Sequence, residues 1–542
     1  MNKKTIKMEN LNTSLRTYTC GGLRKKDEGK KVTLIGWVNR KRDHGGLSFI
    51  DLRDRFGVTQ IVFRPEQKEV MALIPRIKQE FVITLEGKVR KRPPDMVNPD
   101  LSTGEIEVEA ENISIVNPSL TPPFVIEEDV KALEELRLKY RYLDLRRRTM
   151  LQHFITRNRV AQSIRTYLTK RGFLEVETPI LAKTTPEGAR DFIVPSRMEK
   201  GKFYALAQSP QLYKQILMVA GFDRYYQFAK CLRDEDMRGD RQPEHTQIDI
   251  EMSFISEEDI YSLTEGMMKQ IFLNARGIEI ETPFPRISYA QAIEQYGTDK
   301  PDMRIPLKID DYTTVAQTGS FKVFNDNPVV KGIKIAQVFS RSAINILEKF
   351  AQKAGAPGLL WLTRQDDYRG IFVKYFKNLN DFEVSDGETL FLVAGANEMV
   401  LSSLGELRKE LGKQFIKEND FQFVWVTEFP LFEWNEEEQN WNATHHIFTM
   451  PQDSDIARLN EEPGLITGKL YDLVINGEEI ASGSIRNHKA DVQRTLLKIT
   501  GFTDEQIEDR FGYLLKALQY GAPPHGGIAP GIDRLCMVLE GL

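Results

Sequence analysis

The segment from Arg233 to Met252, RDEDMRGDRQPEHTQIDIEM, constrains this chain more than any other, because dense charge interrupts a regular strand pattern. After the charged run, Ile248, Ile250, Met252 and Phe254 alternate with Gln247, Asp249 and Glu251, the period-two signature of a strand with one apolar and one polar face. Before it, Tyr226, Phe228 and Leu232 alternate with Gln227, Ala229 and Arg233. The pattern predicts two antiparallel strands joined by a long charged loop, with Arg233, Gln247, Asp249 and Glu251 on one polar surface. Charge at that density in a half-buried sheet is costly unless a charged ligand sits there. A solvated hairpin is the alternative.

A chain of 542 residues has room for several cores, roughly three or four domains. Its 41% hydrophobic and 28% charged residues are a globular rather than a disordered composition. The start, MNKKTIKMENLN, lacks a signal-peptide core, and no apolar run is long enough to span a membrane, so a cytoplasmic location without membrane attachment is expected. The three cysteines, Cys20, Cys231 and Cys536, are far apart and lack metal spacing. A net charge of −4 implies that any polyanionic partner is held by local patches. Arg24-Lys25-Lys26, Arg40-Lys41-Arg42, KVRKR at 88–92 and Arg146-Arg147-Arg148 are such patches, or else solvated surface.

Residues 14–118 read as five short strands (31–40, 47–54, 57–63, 81–89, 105–116) with one helix, about 66–79, after the third. That order predicts a small Greek-key barrel of the OB type, a frequent binder of single-stranded nucleic acid. Phe49 offers a stacking face and Gln60 an amide able to read a base edge; a core role is the alternative for Phe49. Pro118 to Pro123 marks a linker. A helix over 150–171 carries Leu151, Phe154, Ile155, Ala161, Ile164 and Leu168 on one face, and FLEVETPIL (173–181) follows as a strand. Ser209 is placed as the N-cap of a second helix with Pro210 in its first turn, which sets Gln211 and Lys214 one turn apart on one face. Residues 306–422 read as an inserted α+β domain, with strands GIKIAQVF, GIFVKYF and TLFLVAG, helices 340–354 and 400–413, and no charged constellation.

Two later patterns carry chemistry. Asn476-Gly477 predicts a tight hairpin that sets Val474 opposite Glu479, so that Asp472 lies diagonal to Glu479. The two carboxylates could share a divalent cation, and Mg²⁺ suits them because it takes few protein oxygens plus substrate phosphates; a solvated edge hairpin is the alternative. GGIAPGIDRL at 526–535 reads as a glycine-rich loop opening into a helix, with Arg534 in the first turn favouring an anion. A simple helix entry is the alternative there.

FLEVETPIL, RDEDMRGDRQPEHTQID and GIDRL resemble, in order, the three motifs of class II aminoacyl-tRNA synthetases. TTPEGARDF, QSPQLYKQ and NGEEIASGSIR resemble the aspartyl branch of that family, of the bacterial type, from about Arg16 to the C-terminus. The resemblance implies an α+β multidomain fold: an OB-type anticodon-binding barrel (14–120), a linker or hinge (121–149), an antiparallel-sheet catalytic domain in two parts (150–305 and 423–542) and an inserted GAD-like domain (306–422). It implies attachment of L-aspartate to tRNA-Asp through an aspartyl-adenylate, with ATP and Mg²⁺, by a homodimer. A role for His44 in extending the reaction to tRNA-Asn is left open.

The resemblance assigns ATP to Arg233, Asp234, Glu235, Gln242, His245, Glu479, Gly531, Ile532, Asp533 and Arg534. Of these, Arg233 would grip the α-phosphate, Arg534 the far end of ATP, and Asp472 and Glu479 the Mg²⁺. Aspartate falls to Glu187, Ser209, Gln211, Leu212, Tyr213, Lys214, Arg233, Asp249, His445, His446 and Arg486, with Arg486 on the β-carboxylate and Asp249 near the ammonium. Arg42, Phe49, Gln60 and Glu107 match the positions that meet the anticodon. This sequence departs from the family pattern in His245 for a phenylalanine on adenine, in Ile447 for a proline, and in Pro530 for a large apolar residue. It also ends at Leu542, soon after the third motif, where bacterial relatives continue; the expectation is apolar surface exposed beside the ATP site, and a catalytically impaired tRNA-binding homologue is the rival reading.

Overall fold

The structure is a computed structural model that describes residues 11–184, 189–237, 239 and 241–542. The chain divides into two compact units, Met1–Ile155 and Thr156–Leu542.

The first unit holds a closed barrel of five strands, β1 (Lys31–His44), β2 (Leu47–Asp54), β3 (Gly57–Phe63), β4 (Val82–Lys91) and β5 (Ile106–Asn117), in the order β1-β2-β3-β5-β4. Closure comes from a parallel pairing of β3 with β5, Ile61 opposite Val108. Alternate residues point inward, so Val32, Leu34, Ile50, Leu52, Ile83, Leu85 and Val108 fill the interior. The predicted helix after β3 is shorter than expected: α1 covers Lys68–Leu73 and gives way to a single 3₁₀ turn at Ile74–Arg76, where Pro75 interrupts the helix.

The second unit is built on an eight-stranded sheet. Its strands are β6 (Leu174–Glu175), β7 (Arg224–Leu232), β8 (Glu244–Ser253), β9 (Arg286–Ser288), β15 (Phe423–Thr427), β16 (Leu470–Ile475), β17 (Glu478–Arg486) and β18 (His525–Pro530), ordered β9-β15-β16-β17-β18-β8-β7-β6. The six central strands are antiparallel and the outermost pair on each edge is parallel. Helices α2 (Arg148–Thr169), α4 (Glu257–Arg276) and α8 (Ile532–Glu540) supply Val160, Ile164, Met268, Phe272 and Leu535 to a core shared with Ile248, Ile250, Trp425 and Ile528 of the sheet. Helix α4 opens on a reciprocal cap between Ser256 and Asp259 and stops at the left-handed Gly277.

Several sequence expectations change here. The buried stripe of α2 is Thr156, Val160, Ser163, Ile164, Tyr167 and Leu168, whereas Phe154 is exposed and Leu151 and Ile155 are half-buried. At about 100° per residue those three fall away from the stripe, so the proposed face was too wide. FLEVETPIL is no continuous strand: the chain leaves the sheet after Glu175, and Leu181–Ala182 pairs instead with Phe203–Leu206 in a separate three-stranded sheet. Pro179, with no donor to offer a ladder, lies in the break. Phe254 is exposed with φ 60°, because β8 ends at Ser253 and the alternation ends with it.

Between β9 and β15 the chain forms helix α5 (Tyr289–Tyr296) and a second sheet, β10 (Ile309–Asp311), β11 (Val329–Ile335), β12 (Leu360–Gln365), β13 (Asp367–Gly370) and β14 (Thr389–Gly395), in the order β10-β11-β14-β12-β13. Helices α6 (Arg341–Lys353) and α7 (Asn397–Gly412) share one core with it through Leu347, Leu404 and Leu407. GIFVKYF is not the strand its apolar content suggests. It ends β13 and enters a 3₁₀ turn at Val373–Tyr375, and Phe372 is buried in a phenylalanine-rich cluster with Phe324 and Phe382.

Candidate active site

The floor of the main cavity is built from β8, β17 and β18, with Arg233 entering just past the end of β7. The hairpin forms as predicted, Gln227 opposite Asp249 and Ala229 opposite Gln247, and the Arg233 amide donates to the Pro243 carbonyl at 2.8 Å beyond its last pair. GGIAPG, expected as a loop, is instead the strand β18 between β17 and β8. Glycine lets it lie there. A Cβ on Gly527 would stand 2.0 Å from the Ile250 carbonyl oxygen and 2.2 Å from Glu251 Oε2, and one on Gly483 would stand 2.3 Å from the Gly527 carbonyl oxygen. That missing side chain leaves room for the Glu251 carboxylate.

Four buried charges close on one another in this space. Lys214, from helix α3 (Gln211–Val219), places Nζ 2.6 Å from Asp249 Oδ1 and 3.1 Å from Glu251 Oε2. Arg486, at the end of β17, donates from Nε to Glu251 Oε1 at 3.0 Å, from Nη2 to Oε2 at 3.3 Å, and from Nη1 to Ser484 Oγ at 2.7 Å and to His446 Nε2. Two cations thus meet two anions with no net charge. Burial would raise the Glu251 carboxyl, but Arg486 and Lys214 hold it below the ordinary range; for Asp249 burial prevails and the carboxyl is raised. Burial, with Arg486 and Lys214 beside it, pushes the His446 imidazole well below its usual value, so it is neutral and accepts from Arg486. Asp249 Oδ2 and Gln211 Nε2 are buried without a partner, each costing about 1–3 kcal/mol in that state. Both belong to residues that line the cavity.

The cavity, ≈ 490 Å³, continues past Arg233 to His245, Glu479 and Arg534. Arg534 donates from Nη1 to the Glu479 carbonyl at 2.6 Å, and Asp533 accepts from the Thr246 amide at 3.0 Å. Burial, then Arg233 nearby, lowers the His245 pKa, so its ring is an uncharged face at neutral pH rather than the charged one its ordinary value allows. The β16–β17 turn pairs Val474 with Glu479 as expected, but a bulge at Leu473/Val474 shifts the register and sets Asp472 opposite Ser482. The two carboxyls remain close enough for Glu479 to be the second cause, after burial, of the raised Asp472 pKa. Asp472 Oδ1 is buried and unpartnered, and Glu479 Oε2 lies 2.7 Å from Lys300 Nζ. Two carboxylates with an orphaned oxygen fit Mg²⁺, which needs few protein ligands when phosphates supply the rest. Among the described residues no cluster of three or more His, Cys, Asp or Glu side chains could hold a metal on its own.

On the barrel, the four residues singled out from the sequence lie on one outer face. Arg42 on β1 is directly opposite Phe49 on β2, and Gln60 on β3 is opposite Asp51. Arg42 Nη2 donates to Asp51 Oδ1 at 2.7 Å and to Gln60 Oε1 at 3.3 Å, and Gln60 Nε2 donates to Glu107 Oε2 at 3.1 Å. Phe49 is half-buried and lies outside the barrel core.

The description "tRNA synthetases class II (D, K and N)" matches residues 133–542, and "OB-fold nucleic acid binding domain" matches 32–116. The chain is 48% identical to the aspartate–tRNA(Asp/Asn) ligase of Thermoanaerobacter pseudethanolicus, over 98% of this chain and 93% of that protein. It is 47% identical to the aspartate–tRNA ligase of Geobacillus kaustophilus, over 97% of this chain and 92% of the relative. The chain belongs to the aspartate–tRNA ligase family. Among solved structures, asparaginyl-tRNA synthetase of Pyrococcus horikoshii complexed with asparaginyl-adenylate superposes with a TM-score of 0.62 at 18% identity, covering 97% of this chain and 95% of that one. At that identity the likeness is one of fold.

Within this aspartate–tRNA ligase family member, Ser209, Gln211, Lys214, Arg233, Glu235, Gln242, His245, Asp249, His445, His446, Glu479, Arg486, Gly531, Asp533 and Arg534 all line one cavity. Others do not. Ile532 is buried in the sheet core, Leu212 packs against a second core, Tyr213 is half-buried outside the lining, and Asp234 is exposed with its amide donating to the Arg190 carbonyl. Asp472 lies beneath the cavity wall and Glu187 lies outside the described residues. Ser209 is not the N-cap; Pro210 is, and Ser209 Oγ accepts from the Gln211 amide at 3.2 Å. Sequence reasoning missed Arg241, Thr246, Ser482, Met537 and Lys300. Ser482 sits in phase with Ser484 and Arg486, so alternation could have placed it; Thr246 is in phase with Ile248 and Ile250, and neither it nor Lys300 carries such a signal.

Proposed function

We propose that the chain attaches L-aspartate to tRNA-Asp in two steps, and to tRNA-Asn as a second acceptor, as the printed names of most relatives state for those proteins. An α-carboxylate oxygen of aspartate attacks the α-phosphorus of ATP and pyrophosphate leaves; a hydroxyl of the terminal tRNA ribose then attacks the aspartyl carbonyl and AMP leaves. The observation that carries this reading is the pairing of opposite recognition elements in one cavity: an Arg486 guanidinium fixed by Glu251, Ser484 and His446, and an unpartnered Asp249 oxygen across Lys214.

Glu251 occupies the Nε/Nη2 edge of Arg486 and Ser484 and His446 take Nη1, so the β-carboxylate meets the remaining Nη2 hydrogen, and Asp249 Oδ2 accepts from the substrate ammonium. Asparagine would turn amide donors toward guanidinium donors, and unmatched buried polar groups of that kind discriminate by roughly 10⁴-fold or more. Arg233 neutralises the α-phosphate where charge develops, Arg534 meets the far phosphates, and the uncharged His245 ring stacks on adenine. Asp472 and Glu479 would hold Mg²⁺, which supplies charge neutralisation to the phosphates. Arg42, Phe49, Gln60 and Glu107 read the anticodon. Exposed Leu174, Leu181, Ile193 and Phe203 support a homodimer contact in the catalytic unit. No helix among the described residues is long and apolar enough to cross a membrane, and we place the enzyme in the cytoplasm.

Pyrophosphate exchange tests the first step. Aspartate should support it and asparagine should not, and Arg486→Leu should abolish it. Equal support by both amino acids would overturn the assignment of Arg486. Charging of purified tRNA-Asp and tRNA-Asn tests the acceptors.

A further inference from the structure

One cation of the cavity comes from outside every segment that carries the family resemblance. Lys300 lies in GTDKPDMRIPL (297–307), the segment that leaves α5 and enters the inserted sheet, and its Nζ stands 2.7 Å from Glu479 Oε2 on the cavity wall shared with Arg534 and Arg241. The segment is shaped at both ends. On its own side, α5 stops at the left-handed Gly297, Thr298 Oγ1 accepts from the Lys300 amide at 3.2 Å, and Asp302 accepts from the Arg304 amide and guanidinium.

From the inserted domain, helix α7 presses on the same segment. A Cβ on Gly297 would stand 2.3 Å from the Leu401 carbonyl oxygen, and one on Gly405 would stand 2.7 Å from the Gly297 carbonyl oxygen. Arg408 of α7 is almost fully buried, and it spends its donors on the segment's own carbonyls: Nε to Leu307 at 2.7 Å, Nη2 to Asp302 at 2.9 Å and to Ile305 at 2.7 Å. A buried guanidinium with carbonyls as its hydrogen-bond acceptors is an expensive way to hold a loop. It fixes the backbone on both sides of Pro306.

A dication and an ammonium cannot share the Glu479 carboxylate without strong like-charge repulsion. Were Mg²⁺ bound to that carboxylate, Lys300 would keep the part-exposed Asp299 carboxylate at 4.0 Å, and the polyphosphate of the nucleotide would be the stronger anion facing it across the cavity. We propose that Lys300 is an ATP-phosphate ligand, held on Glu479 until the metal arrives, and that the inserted domain sets its position through Arg408. The inference rests on the ATP site proposed above.

Kinetics and calorimetry on the whole enzyme test it. In aspartate-dependent pyrophosphate exchange, Lys300→Ala should raise the KM for ATP about tenfold, the weight of one partly solvated charge-assisted hydrogen bond. The KM for aspartate should stay within about twofold, and Lys300→Arg should recover most of the loss. By calorimetry, inorganic pyrophosphate in a metal chelator should bind Lys300→Ala more weakly than wild type. Arg408→Met should shift the ATP KM in the same direction and add little to Lys300→Ala in a double-mutant cycle; Arg408→Lys replaces it if that variant does not fold. An unchanged ATP KM, or ATP and aspartate KM values rising together, would overturn the inference while wild-type exchange keeps the proposed function intact. Should wild type show no exchange, the function fails, and equal pyrophosphate binding by wild type and Lys300→Ala would then overturn the phosphate-ligand role on its own.

Discussion

Replacing Glu251 by glutamine keeps the shape of the side chain and removes one charge from beneath the cavity floor, where the side chain itself is fully buried. In the native protein Glu251 accepts from Arg486 Nε at 3.0 Å, Arg486 Nη2 at 3.3 Å and Lys214 Nζ at 3.1 Å, and none of the four charges in the network is more than 2% exposed. Glu251→Gln leaves Lys214 and Arg486 facing Asp249 alone, and turns an amide donor toward one of the two cations. Removing one partner of a buried ion pair costs about 3–5 kcal/mol. The glutamine oxygen keeps one acceptor, so the lower end, about 3 kcal/mol, is expected, a large share of a stability of roughly 5–15 kcal/mol. Guanidinium unfolding followed by circular dichroism measures it. The pH dependence carries the sign. Glu251 is held below its ordinary range, so its contribution is complete above the unfolded value of about 4.3 and is lost as pH falls through the lower folded value. Wild type and variant should therefore differ by a constant amount between about pH 6 and 8 and converge below about pH 4. A difference under about 1 kcal/mol at pH 7 would refute the reasoning, because it would mean that solvent already screens these charges.

Three further outcomes are expected. Asn476 has φ 56°, accepts from the Gln422 amide and donates to the Asp420 carbonyl, both at 2.9 Å; Asn476→Ala should cost about 2–3 kcal/mol in denaturant unfolding, and Asn476→Gly less, since glycine relieves the backbone strain. Gly527→Ala drives a methyl into the Ile250 carbonyl and the Glu251 carboxylate, so it should yield insoluble protein or one about 3 kcal/mol less stable, read by expression and melting. Phe49→Ala should raise the KM for tRNA in charging about tenfold, the loss of one stacked base, and leave tRNA-independent exchange within about twofold; parallel loss of exchange would remove the anticodon role.

The elements legible in the sequence are those whose pattern is local. Strands Leu47–Asp54 and Gly57–Phe63 fall where the sequence pattern and turn residues set them, Thr389–Gly395 is a short continuous apolar run, and the β7–β8 hairpin has the predicted polar face. The failures share a different cause. GGIAPG reads as a loop because glycine weakens strands in isolation, yet here the neighbouring strands approach too closely for any side chain. Phe372 reads as a strand residue because tertiary burial, not periodicity, decides its place. The bulge beside Asp472 and the arrival of Lys300 depend on pairing across the fold, which leaves no mark in a window of the sequence. Most of the site residues found from motifs line one cavity, with Asp234 and Ile532 among the exceptions, but the resemblance did not say that Glu251 holds Arg486 from below. Alternation did place Glu251 on the correct face.

The place of β18 in the sheet has a consequence for how the enzyme is made. Glu251 on β8 and Arg486 on β17 belong to strands that are not neighbours; the strand between them, His525–Pro530, follows all the other described strands in chain order. While the ribosome is still delivering the chain, the barrel and the inserted sheet have all their strands and can fold, but the two halves of the catalytic sheet have nothing to join them. A nascent chain stalled before residue 525 would present two unpaired inner edges, the kind of surface that chaperones cover and that aggregates without them. The proposed amino acid site thus comes into being only when that strand arrives, and truncation within it should remove solubility together with activity.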